Sequence, residues 1–154
     1  FSKYKAFTSN AIGTFKIFAT AINGLNDEDV RLSKRVRLSS KQMRGFEPGK
    51  IGPKDGKDYI GGNYAASTNF ELNLPNLLPE STKTDVGVFL DFGNVWQVDY
   101  NKNLNGSNKI RSSTGINTSW SSPVGPVSFV FSQNLAKAST DVTESFNFLL
   151  GTTF

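Results

Sequence analysis

The chain contains no cysteine and no histidine, and only one methionine. Without cysteine there can be no disulfide, and without either residue no zinc site of the Cys/His kind. Without imidazole, every catalytic triad or proton shuttle built on it is excluded. A cysteine-free chain is compatible with an oxidising compartment. No run of about 18 apolar residues occurs, so no transmembrane helix is expected. The start does not read as a secretory signal peptide. Charged residues are 19% of the chain, below the usual ~25%.

Phenylalanine, by contrast, is plentiful at 13 residues, and glycine at 14. Hydrophobic residues make up 37%, which with the glycines approaches the ordinary globular share, so disorder is not expected. A length of 154 residues suits one domain. The chain opens FSKYKAF without a methionine, which suggests a segment of a longer protein. The formal charge is +4, and its distribution is uneven. Arg31, Lys34, Arg35, Arg37, Lys41 and Arg44 follow one another with no acid among them. Such a run fits a solvated basic loop; its other reading is a surface for polyanions.

The dominant hydrophobic period is two. Tyr64, Ala66, Thr68, Phe70, Leu72 and Leu74 fall on one face of a strand, with Ala65, Ser67, Asn69, Glu71 and Asn73 on the other. Val86, Val88, Leu90 and Phe92 share a face opposite Asp85, Gly87, Phe89, Asp91 and Gly93. Ile110 to Trp120 alternates in the same way, with Lys109, Arg111, Ser113 and Asn117 on its polar side. Val127, Phe129 and Phe131 form another such face, and Phe146, Phe148, Leu150 and Phe154 a last one. GTFKIFATAI and KYKAFTSN add two more strands. The expectation is an all-β chain of about seven strands, most of about 9–11 residues, the length of a tilted membrane-crossing strand.

The connections alternate in length. PNLLPESTKT and SSPVGP are short and carry proline; the segment of about 24–62, QVDYNKNLNGSN and NLAKASTDVTE are long and polar. Short turns on one side and long loops on the other is the arrangement of an outer-membrane barrel. A soluble β-sandwich also alternates. Charges deep within the polar faces, at Glu71, Asp91, Lys109 and Arg111, and aromatics near strand ends favour the barrel. Seven strands cannot close in lipid, where an open edge has no water to satisfy it. Residues 1–154 are therefore expected to be one part of a larger antiparallel transmembrane β-barrel.

The segment RGFEPGKIGP, which includes Ile51, Gly52 and Pro53, resembles the sixth extracellular loop of the BamA family of outer-membrane assembly factors. GGNYAASTNFEL and FLDFGNVW are similar to the two strands that follow that loop. IRSSTGINTSWSSPVGPVSFVFSQNL resembles the next hairpin, and FNFLLGTTF the last strand. The likeness is specific from Lys41 to Phe154 and weaker over the first 40 residues. Ser39-Ser40 stand where the family has Gly-Gly.

The resemblance implies a barrel of about sixteen strands, of which this chain is the last seven or so. It implies POTRA domains ahead of the barrel, accessory lipoproteins, and integral residence in the outer membrane of a Gram-negative bacterium. The loop of about 24–62 would enter the lumen, where Arg44 of the Arg44-Gly45-Phe46 cluster would pair with Glu71 and Asp91. Consecutive strands lie about 4.8 Å apart, close enough for one planar guanidinium to hold both carboxylates. Phe146, Phe148, Leu150 and Phe154 look like the β-signal by which outer-membrane proteins are recognised. With Gly151 inside the strand, they would form a weakly paired lateral seam. Nascent outer-membrane proteins would be the clients, joining the exposed edge by β-augmentation.

A related secretion transporter or a passive pore is the competing expectation. A soluble polyanion-binding module is the third. No nucleic acid, metal or cofactor is expected. Catalysis is not expected either. GKIGPKDGK lacks the Walker spacing, and Arg44 would keep Glu71 and Asp91 both ionised, which defeats a glycosidase pair.

Overall fold

The computed structural model describes residues 1–26, 28–104, 109–123 and 125–150. Its strands are β1 (Ser2–Thr8), β2 (Ala11–Ala21), β3 (Lys54–Asp55), β4 (Asp58–Tyr59), β5 (Tyr64–Leu74), β6 (Thr84–Trp96), β7 (Arg111–Ser122), β8 (Gly125–Ala136) and β9 (Phe146–Leu150). Seven of them form one antiparallel sheet in the order β1-β2-β5-β6-β7-β8-β9. Each large strand therefore lies beside the next large strand in sequence, whether a short turn or a long loop joins them. Ser9 and Asn10 join β1 to β2, and residues 75–83 join β5 to β6. Three single 3-10 turns are the helical structure among the described residues.

The strands follow the period-two pattern closely. Along β6, Gly87, Phe89, Asp91, Gly93 and Val95 are buried, and the residues between them are partly or fully exposed. Along β5, Ala65, Ser67 and Asn69 are buried by the same alternation. Val88, Phe92, Ile116, Phe131, Phe146 and Phe148 stay exposed on the opposite, bare face. Their rings touch across strands there: Phe15 meets Phe70 at 5.0 Å, and Phe131 meets Phe146 at 5.0 Å. Tyr64 stacks on Trp96 at the long-loop end, and Trp120 lies near the short-turn end. That is the pair of aromatic girdles of a membrane-crossing wall. An 11-residue strand is about 36 Å long and, tilted by about 45°, covers the height of an apolar band of about 25 Å.

The sheet does not close on itself. β1 and β9 are its two edges among the described residues. Among the described residues the second sheet is the two-stranded β3-β4, too small to form the opposite layer of a sandwich. The connection between β2 and β5 covers the inner face instead. Leu38, Met43, Phe46 and Ile51 from this loop pack with Ala65 of β5 and Val95 of β6 to form the buried apolar cluster. Each of these side chains but Ala65 contributes about 1.5–3 kcal/mol of burial.

Within the loop, β3 and β4 pair as a small hairpin around Gly56 and Lys57. The alternation pattern did not anticipate it. Two residues per strand are too few to show a period, and the Asp55-Gly56 turn signal was the only trace. Gly56 takes the positive φ, 56°, that the turn requires.

Candidate functional site

The site is built where the covering loop turns down onto β5 and β6. The turn begins at Ser39, whose carbonyl accepts from the Gln42 and Met43 amides at 3.0 Å each. The Ser39 amide donates to Gln42 Oε1 at 2.9 Å. Neither Ser39 nor Ser40 has a positive φ, so the backbone here does not require glycine. The turn is held to the wall by Asn69, which donates to the Gln42 carbonyl at 3.0 Å.

Arg44 follows, and its guanidinium is shared by two carboxylates. Nε and Nη2 donate to the two oxygens of Asp91, each at 2.7 Å. Nη1 donates to Glu71 Oε2 at 2.7 Å. The Arg44 amide adds a bond to Asp91 Oδ2 at 3.2 Å. Register explains the fork. Asn69 of β5 faces Asp91 of β6, and Glu71 faces Phe89, so the acids lie on a diagonal between neighbouring strands. Asp91 is fully buried, while the Arg44 and Glu71 side chains keep 11% and 17% exposure.

The surroundings complete the cradle. The guanidinium lies 3.8 Å from the Phe89 ring centroid, a cation–π contact. Asn117 of β7 donates to Glu71 Oε1 at 3.2 Å. The Ser113 hydroxyl donates to the Arg44 carbonyl. Lys16 of β2 adds positive charge near Glu71. Burial alone would lower the Arg44 pKa, but hydrogen bonding and attraction from Asp91, then Glu71, hold it above its ordinary value.

Gly45 has a φ of +85°, and a Cβ there would come within 3.0 Å of Ser113 Cβ. Its carbonyl accepts from Asn134 Nδ2 at 2.7 Å. Phe46 is 2% exposed within the apolar cluster. Ile51 joins the same cluster, and Gly52 and Pro53 beside it are also buried. At Gly52, with φ +99°, a Cβ would meet Val95 Cβ at 2.8 Å. Of the other cations in the basic run, Arg31, Lys34, Arg37 and Lys41 are exposed.

β9 pairs with Val127–Phe131, the first half of β8. Phe146, Phe148 and Leu150 are exposed together on the bare face. Gly151 and Phe154 lie outside the described residues.

Sequence reasoning missed several partners. Phe89 was visible as an aromatic on an otherwise polar face. Ser113, Asn117 and Asn134 are ordinary polar residues of a strand, and nothing in their spacing marks them. Lys109 and Arg111 were expected deep within a strand, but β7 starts at Arg111 and Lys109 precedes it; the Arg111 partner, Asp141, lies in an aperiodic loop.

The family model for the Omp85 superfamily domain matches residues 1–154. The outer membrane protein assembly factor BamA of Neisseria meningitidis serogroup B is 32% identical over 139 residues, covering 73% of this chain and 17% of that protein. The protein of the same name from Neorickettsia risticii is 28% identical over 145 residues, covering 92% of this chain and 19% of that protein. The chain thus spans under a fifth of the length of these relatives. Among solved structures, that of Haemophilus ducreyi BamA lacking POTRA domains 1-3 superposes with a TM-score of 0.84 at 26% identity. The overlap covers 96% of this chain and 32% of that one. The chain belongs to the Omp85 superfamily, within it to the BamA family, and its seven-stranded sheet is part of the wall of an integral outer-membrane β-barrel.

Proposed function

We propose that this chain is the C-terminal wall of an outer-membrane protein assembly factor, which folds and inserts other β-barrels into the membrane. The observation that carries the reading is the covering loop, anchored by one arginine between two acids on an open-edged wall. In the closed barrel the covered face is the lumen. Arg44, Gly45 and Phe46 then act as a lumen lock with Glu71 and Asp91, and Ile51, Gly52 and Pro53 continue the docking. Nascent outer-membrane proteins are the clients, and the lipid bilayer surrounds the bare face. The remaining strands, POTRA domains of the same chain and accessory lipoproteins are the further partners.

No step of this activity needs a catalytic residue. A lateral seam beside β9 exposes backbone donors and acceptors, and a client strand adds to them by β-augmentation. A short or weakly paired wall thins the adjacent bilayer and lowers the insertion barrier. The Arg-Gly-Phe loop is shared by secretion transporters of the same superfamily, so the reading needs a test of clients.

That test replaces Arg44 by Ala, and separately by Lys, in the full-length protein in its own membrane. Heat-modifiability on a cold gel reports the barrel, and the levels of other outer-membrane barrels report assembly. The account expects both to fall. A loosened barrel with unchanged client levels favours the transporter or pore. An unchanged barrel overturns the lock.

A further inference from the structure

A second buried ion pair lies outside the Arg44 cradle, at the long-loop end of the sheet. Arg111, the first residue of β7, donates from Nε and Nη2 to the two oxygens of Asp141, each at 2.9 Å. Both side chains are fully buried, more deeply than any part of the Arg44 pair except Asp91. Arg111 Nη1 also donates to Asn94 Oδ1 of β6 and to the Lys109 carbonyl, the latter at 3.1 Å. Asp141 Oδ2 accepts from the Ala138 amide at 2.6 Å. The carboxylate therefore fastens the loop of residues 137–145 to β7, and through Arg111 to β6.

This loop leads directly into β9, and it is tied to the covering loop as well. The Glu144 amide donates to the Gly45 carbonyl at 3.0 Å, and the Glu47 amide to the Val142 carbonyl at 3.0 Å. The Val142 amide donates to the Lys50 carbonyl at 3.2 Å. Phe46 and Thr143 form the bridge between them. At the same level β8 bonds to this segment: Ser132 donates from its amide to the Ser145 carbonyl and from its hydroxyl to the Glu144 carbonyl. The upper half of β8 thus faces the docked loops, and only its lower half pairs with β9.

We infer that Arg111 and Asp141 are positioning residues for the last strand, setting where β9 leaves the loops and begins to pair with β8. The pair holds residues 141–145 against the wall, and the ladder to residues 45–50 makes the loop before β9 and the Arg-Gly-Phe loop one hydrogen-bonded unit. Release of Asp141 frees the upper end of β9 and loosens its ladder to residues 45–50, but it breaks none of the Arg44 bonds to Asp91 and Glu71. A buried charge pair suits this task because removing the carboxylate leaves the Arg111 charge shielded from water, with only the neutral Asn94 and Lys109 oxygens among the bonds named above to answer it. The inference rests on the proposed role of β9 as the seam strand, but its structural content is tested separately.

The test is hydrogen exchange on the full-length protein in lipid nanodiscs, with Asp141→Asn, Arg111→Lys and the exchanged pair Arg111→Asp/Asp141→Arg. Unsubstituted protein is expected to protect the Val142 and Glu144 amides as strongly as those of β9. Asp141→Asn is expected to speed exchange across residues 142–148 at least about tenfold. Protection of the Arg44 amide, which donates to Asp91, should stay unchanged, and Arg111→Lys should give a smaller effect in residues 142–148. Unchanged exchange at 142–148 in Asp141→Asn overturns the inference. So does free-loop exchange of Val142 and Glu144 in the unsubstituted protein, a result that needs no variant to fold. Arg44→Ala is assayed for client assembly in parallel. Its failure would remove the assembly reading and leave the exchange result standing.

Discussion

Replacing Arg44 by lysine keeps the charge and removes the fork, which makes it the sharpest perturbation of the cradle. The guanidinium makes three side-chain bonds, two to Asp91 and one to Glu71. An ammonium is a point donor and cannot serve both oxygens of Asp91 and Glu71 in that geometry. Charge-assisted bonds contribute about 1.5–3 kcal/mol each, so losing one of the three costs about 1.5–3 kcal/mol. Alanine goes further and leaves the fully buried Asp91 with no cation, at about 3–5 kcal/mol. The assay is denaturant unfolding of the full-length barrel in detergent, run as a double-mutant cycle with Asp91→Asn. The expected order is Arg44→Ala below Arg44→Lys below the unsubstituted protein. The Arg44→Ala/Asp91→Asn pair should be more stable than the sum of its single losses. Additive losses would refute the reasoning, since they would mean that the two groups do not hold each other.

Asp91→Asn is expected to destabilise more than Glu71→Gln, because Asp91 takes two guanidinium bonds in full burial and Glu71 one at 17% exposure; the same unfolding series reads it. Gly45→Ala should cost about 1–3 kcal/mol, from its φ of +85° and the approach to Ser113, seen as a lower melting temperature of the heat-modifiable band. Phe131→Arg on the bare face should cost up to about 2–4 kcal/mol when folding into lipid vesicles is followed by urea titration, while Ser119→Arg on the covered face costs less. Residues 1–154 alone, with two open sheet edges, are expected to give no heat-modifiable band in detergent.

The wall was legible in the sequence because a barrel strand writes its two faces in alternate letters. Phe70, Val88 and Phe92 on one side, with Ser67, Asn69 and Asp91 on the other, show that alternation in β5 and β6; repeated along the chain, it gave the seven strands of the sheet and oriented both acids. The loop was not legible in this way. Its β3–β4 hairpin is too short for a period. Its apolar residues Leu38, Met43, Phe46 and Ile51 are spaced irregularly, since they meet the wall from a chain without repeating geometry. Arg44 could be placed only by likeness to a known family; by composition it was one of six cations in a row. Asp141 shows the same limit from the other side: a carboxylate among Ser139, Thr140 and Thr143 gives no sign that it is fully buried on Arg111. Side-chain partners that meet across loops depend on tertiary approach, which local pattern does not encode.

The most direct test of the central claim is folding of an unfolded outer-membrane barrel by the purified full-length protein in phospholipid vesicles. Protease-resistant, heat-modifiable client is measured against time, beside vesicles without protein and vesicles carrying Arg44→Ala. The account predicts that the unsubstituted protein accelerates client folding well above empty vesicles and that Arg44→Ala loses most of that gain. Client folding at the rate of empty vesicles, from a protein that is itself folded, would contradict it.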